Sequence, residues 1–115
     1  MSMSKQRIFN RVYKHLLTQK ERAYDEKYGS CSYLDSEGRK CAVGCLIPDG
    51  HPGQDFRGGV EMLFEEYPDL KKKLGNEDFL VKLQFIHDYH TIPTAKWKFE
   101  LEALAKEEGL TCPDV

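Results

Sequence analysis

The residues best equipped for chemistry fall in two places. The run "GRKCAVGCLIPDGH" (38–51) holds Cys41 and Cys45. With Cys31 before them and His51 after, the spacing is C-x9-C-x3-C-x5-H. Three thiolates and one imidazole are the right count and type for a closed tetrahedral zinc site. The paired C-x2-C knuckles of zinc ribbons are missing, however, and the segment from Cys41 to Cys45 is apolar. The expectation is therefore no metal and no cofactor. The second place is "LQFIHDYH" (83–90), with Gln84, His87, Asp88 and His90. Cys41 follows Arg39-Lys40, and if it opens a helical turn, the nearby cations and helix N-terminus lower a thiol pKa. The order Cys, His, Asp matches one arrangement of papain-like enzymes. Adjacent helical residues point about 100° apart, so Asp88 should not orient His87, whereas Gln84 and His87, three apart, share a face. This gives a cysteine-dependent hydrolase or transferase using Cys41, Gln84 and His87. The favoured reading is plainer: free cysteine packs as a small hydrophobe, and "CAVGCLI" reads as core.

These groups need elements to position them. Ile8, Phe9, Val12, Leu16 and Leu17 repeat at helical spacing over residues 5–22, with Ser4 as the N-cap. The opposite face carries a basic stripe of Arg7, Arg11, Lys14 and Arg22. Two short β segments are expected around Asp35-Ser36-Glu37-Gly38, a type I turn signal. Residues 46–59, "LIPDGHPGQDFRGG", are rich in glycine and proline and read as a long loop. Helical periodicity then returns at Val60–Tyr67 up to Pro68, at Leu70–Leu74, and at Phe79–His87 with Asn76 as cap. It closes in a last helix with Thr94 as cap, Trp97, Leu101, Leu104 and Ala105 on one side, and Gly109 as stop. The expected fold is α+β: one domain over residues 1–115, with four or five short helices packed around a small β-hairpin as a minimal antiparallel sheet.

Composition narrows the function classes. The 115 residues carry a formal charge of -2, and the pI near 6.1 argues against a nucleic-acid binder on bulk electrostatics. The N-terminus is charged from Lys5 onward and no apolar run reaches the roughly 18 residues of a membrane span. A cytoplasmic protein with reduced thiols is the expectation.

The run "CSYLDSEGRKCAVGCLIPD", the later "LQFIHDYH" and the Trp97-containing helix ending in "EEGL" resemble a family of small, uncharacterised proteins encoded by bacteriophages and their bacterial hosts. The resemblance spans Cys31 to Leu110, and "KCAVGCLIPD" is its most specific part. The loop "GHPGQDFRGG" is less typical of the family, and Cys45 stands where the family often has a small residue. The resemblance implies a phage or prophage setting, hence a host-cell cytoplasm, and brings no assigned activity. It marks Lys40, Cys41, Leu83, Gln84, His87 and Asp88 as motif positions without roles.

The leading expectation is a non-enzymatic accessory protein that occupies a host protein or sequesters a small ligand, for example as an anti-defence inhibitor. Its candidate surfaces are the Arg7, Arg11, Lys14 and Arg22 stripe and the loop groups Asp49, His51, Asp55 and Arg57.

Overall fold

The computed structural model describes residues 2–25, 27 and 30–114. The described elements run α1 (Lys5–Gln19), β1 (Tyr24–Asp25), β2 (Ser30–Cys31), α2 (Val60–Glu66), α3 (Pro68–Leu74), α4 (Glu77–Asp88) and α5 (Trp97–Glu108). Single 3-10 turns stand at Gly44–Leu46, Pro52–Asp55 and Thr94–Lys96. The chain is mostly helical, which overturns the α+β expectation. Among the described residues the β content is the pairing of Tyr24 with Cys31 and Asp25 with Ser30, plus an isolated bridge between Leu34 and Lys40. That is too little to make a sheet.

The reason lies at Asp35. The turn forms where the sequence places it: the Gly38 N–H donates to the Asp35 carbonyl at 3.1 Å, and Gly38 takes a φ of 82°. The Asp35 carboxylate, however, accepts the backbone N–H groups of Glu37 (2.9 Å), Arg39 (2.8 Å) and Tyr24 (3.2 Å). Side-chain capture of this kind replaces a strand ladder. Beyond the single bridge at Lys40, the chain enters the 3-10 turn Gly44–Leu46 instead of a second strand.

α1 starts at the Ser4 cap, whose Oγ accepts the Arg7 N–H at 3.2 Å. It ends at Gln19, short of the expected 22, because Lys20 turns left-handed (φ 64°) and returns its N–H to the Leu16 carbonyl. Arg22 therefore leaves the helix and its stripe. Ile8, Phe9, Val12 and Leu16 are fully buried against α4 and α5, where Leu80, Leu83, Trp97 and Leu101 meet them. Each such apolar side chain contributes about 1.5–3 kcal/mol on leaving water.

Pro68 separates α2 from α3 as expected, and the Lys71, Lys72 and Lys73 run occupies the last turn of α3, where the helix dipole favours cations. Asn76 precedes α4, but its side chain does not cap it. The amide donates instead to the carbonyls of Met3 (2.8 Å) and Leu74 (2.9 Å), tying the N-terminal segment to the α3–α4 junction. α5 begins at Trp97, with Thr94 opening the 3-10 turn before it. It stops at Gly109 (φ 71°), where Leu110 donates to the Ala105 carbonyl. No helix among the described residues is long and apolar enough to cross a membrane.

Candidate functional site

The C-terminal end of α4 gathers most of the chemistry-bearing residues. A helix end leaves carbonyls without partners, and here Arg22 supplies donors. Its Nε donates to the His87 carbonyl at 2.7 Å, and its guanidinium also reaches the carbonyls of Tyr89 (2.8 Å) and Ile92. The same guanidinium lies 5.6 Å from the centre of the Trp97 ring, a cation–π distance. Trp97 in turn stacks with His87 at 5.5 Å. Both aromatic residues are fully buried.

His87 is held through both ring nitrogens. Nε2 accepts the backbone N–H of Ala23 at 3.0 Å, and Nδ1 lies 2.5 Å from Asp88 Oδ1. A backbone N–H can only donate, so the proton of the neutral ring sits on Nδ1 and points at Asp88. The expectation that Asp88 cannot orient His87 is thus corrected. Asp88 is the last residue of α4 and Tyr89 is already extended, so its carboxylate is released from the helical spacing rule. Gln84 makes its contacts elsewhere. Its Oε1 accepts the Val43 N–H at 3.0 Å, and its Nε2 donates to Asp88 Oδ1 at 2.8 Å.

The two thiols near this network are held protonated. Burial pushes the Cys41 thiol far above its ordinary value and the Asp88 charge adds to the effect. Hydrogen bonds from the Gly44 N–H, 3.2 Å away, and from Gln84 oppose it without winning. Cys31, half-buried, is pushed up to about 12 by burial first, then by the charge of Asp88 and a hydrogen bond to it, with Arg22 opposing. A nucleophilic cysteine needs its thiolate and a base to make it. The one buried imidazole beside these groups offers its lone pair to Ala23 and its proton to Asp88, so it presents no vacant nitrogen to Cys41 or Cys31. Half of a catalytic triad is therefore in place, with a backbone N–H where the nucleophile would stand.

The ligand atoms of Cys31, His87 and Asp88 lie within 4.8 Å of one another, a metal-sized cluster. The tautomer decides against it: Nδ1 carries the proton, and moving that proton to Nε2 would set it against the Ala23 N–H. The zinc set weighed from the sequence, Cys31, Cys41, Cys45 and His51, does not converge among the described residues. The Cys45 Sγ donates to the Ala42 carbonyl at 3.1 Å. His51 accepts the Gly53 N–H on Nδ1 (2.9 Å) and donates from Nε2 to Asp69 (2.7 Å).

The binding candidates separate into two surfaces. Arg7, Arg11 and Lys14 are exposed on α1, while Arg22 is committed to the end of α4. Of the loop groups, Asp49 pairs with Lys40 at 2.6 Å, and Arg57 donates to Ser32 Oγ (2.6 Å) and Asp25 (3.1 Å). Asp55 and Arg57 border an open cleft of about 730 Å3 whose other walls include Tyr24, Asp35 and Arg39. Its charges are mixed and largely paired internally: Arg39 holds Asp35 at 2.6 Å. The joining of Arg22, Ala23 and Cys31 to the His87 end of α4 carries no sequence signal: helical spacing assigns Arg22 to the α1 stripe, and nothing local points from these residues to α4.

A scan against protein-family models finds no match, and searches of curated proteins and of solved structures return none either.

Proposed function

We propose that the protein is a non-catalytic binding protein whose α1 face, Arg7, Arg11 and Lys14, occupies an acidic surface of a partner protein. One observation carries the reading. The three cations stand at i, i+4 and i+7, all are exposed, and among the described residues none forms an ion pair with an acid. Lys5, Arg39, Lys40, Arg57 and Lys82 have acidic partners, while Lys71, Lys72 and Lys73, exposed and also without an ion pair among the described residues, sit in the last turn of α3 where the helix dipole favours them. Unpartnered like charges one turn apart cost a helix a few tenths of a kcal/mol each, about 0.2–0.5. Their concentration on one face of a chain of net charge -2 suits recognition of the opposite sign. The resemblance of Cys31–Leu110 to small phage proteins supports a host protein as that partner and the host cytoplasm as the setting. The tied-up ring of His87 and the protonated thiols favour this class over a cysteine-dependent hydrolase or transferase.

The test uses polyglutamate as a minimal acidic partner, titrated calorimetrically at low salt. The Arg7→Glu, Arg11→Glu double variant should lose about tenfold or more in affinity and most of the salt dependence. An Asp49→Ala, Asp55→Ala variant on the loop should bind as the parent does. Equal binding by the α1 double variant removes this reading.

A further inference from the structure

α1 is the one α-helix among the described residues that contains no acid, in a chain that carries 19 Asp and Glu. At about 100° and 1.5 Å per residue, Arg7, Arg11 and Lys14 fall within about 60° of one another round its axis and span about 10.5 Å along it, and the exposed Thr18 continues the line. Both flanks of this line are held by the chain itself. On one side Gln6 donates from Nε2 to the Thr111 carbonyl (2.8 Å) and accepts the Thr111 N–H (3.0 Å). On the other, the His15 ring and the Gln19 amide both donate to the Lys40 carbonyl, each at 2.8 Å. What is left for a partner is a narrow, straight ridge of cations.

We infer that the partner meets this ridge with a helix whose acids recur every three or four residues along a single face. The inference rests on the α1 reading above and adds the form of what binds there. An extended segment gains affinity by adding its backbone to an exposed strand edge. The ridge offers no such edge, because the backbone groups of α1 are spent within the helix and each strand of the β1–β2 pair is only two residues long. A helix brings its own backbone already satisfied and needs side chains alone. Its acids also repeat the spacing of Arg7, Arg11 and Lys14, so all three pairs form in one register when the axes lie side by side. Reversing the partner helix moves its central acid by only about 1.5 Å, within reach of the Arg11 side chain. Exposed ion pairs are weak singly, so the three count only when presented together. A helix holds its acids in place before binding, whereas a flexible acidic chain has to be ordered residue by residue.

Calorimetry at low salt with three capped, alanine-rich peptides tests the inference. Two are helical and share one composition, with their glutamates either in a single stripe or spread round the helix. The third carries the stripe but is broken by a central proline. The striped helix should bind about tenfold tighter than the other two. Arg11→Glu, and independently Lys14→Glu, each with an unchanged circular dichroism spectrum, should abolish that preference. Equal binding by the three peptides, or binding of polyglutamate alone, overturns the helical partner and leaves the α1 reading standing if polyglutamate still tells the parent from the Arg7→Glu, Arg11→Glu variant. A preference that persists in both single variants puts the contact on another face and overturns the inference. If neither the peptides nor polyglutamate binds, the α1 reading falls and this inference falls with it.

Discussion

The backbone N–H of Ala23 donates to Nε2 of His87, 64 residues further along the chain, at 3.0 Å. That bond fixes the tautomer and makes a buried imidazole part of the scaffold. It also links the irregular segment after α1 to the end of α4. His87 is fully buried and stacked on Trp97. Replacing it with alanine removes the ring packing and leaves the Ala23 N–H without a partner. We expect His87→Ala to lose about 3 kcal/mol of stability, from cavity and hydrogen-bond terms together. Urea unfolding measures it, and a loss below about 1 kcal/mol would show that the ring does not carry this junction.

Thiol labelling separates the four cysteines. Cys112 is exposed, Cys31 and Cys45 are half-buried, and Cys41 is fully buried. Burial raises the Cys45 thiol to about 12, with Arg11 and Lys40 opposing, and Cys31 reaches a similar value. At pH 8 iodoacetamide should modify Cys112 first and leave Cys41 untouched until the protein unfolds. Mass spectrometry reads the order. Modification of native Cys41 at the Cys112 rate would restore the nucleophile reading.

Acid should act through Asp25 and Asp35. The Arg57 guanidinium holds Asp25 below the usual carboxylate value against the effect of burial, helped by the Ser36 N–H and the Ser32 hydroxyl. For Asp35 burial is the largest influence and pushes upward, but the Arg39 guanidinium and the N–H groups of Arg39, Tyr24 and Glu37 together leave it lowered. A folded-state value below the unfolded one means that these carboxylates stabilise the fold above the ordinary value of 3.8, and that the contribution fades as pH falls through the folded values. Asp35→Asn should therefore be less stable than the parent at pH 7, and the difference should shrink below pH 4. A difference that stays constant from pH 7 to about 3 contradicts the assignment.

Gly44 is constrained by space. A Cβ there would meet the Tyr33 carbonyl oxygen at 2.0 Å, and backbone cannot move aside as a flexible side chain does. Gly44→Ala should cost about 2–3 kcal/mol or more and lower the melting temperature by several degrees. An unchanged melting temperature would mean that the Gly44–Leu46 turn shifts freely against Tyr33.

How much of this was legible depended on whether a residue sat in a periodic element. Ile8, Phe9, Val12 and Leu16 announced α1, Pro68 and Gly109 marked their breaks, and Gly38 marked its turn, because these are local signals. Asp35 misled by the same logic: its turn is real, but the carboxylate takes the N–H groups that a hairpin ladder would have used. The Gln84–His87 pairing expected from spacing gave way to Gln84–Asp88 and His87–Asp88, because the helix ends at Asp88 and releases its side chain. By spacing alone Arg22 is the last cation of the α1 stripe, but the left-handed Lys20 takes it out of the helix. Its partners, the carbonyls of His87, Tyr89 and Ile92, lie some seventy positions away, beyond the reach of any pattern in the local sequence.

That distance has a consequence for how the chain is made. During synthesis the segment carrying Arg22 and Ala23 leaves the ribosome long before the end of α4 and Trp97 exist to receive it. α1 can wind as soon as it emerges, since its bonds are local. The Asp35 turn is likewise local, but Arg22 and Ala23 cannot dock until the end of α4 has been translated, and a nascent polypeptide stalled before residue 97 should expose the α1 apolar face and invite chaperones.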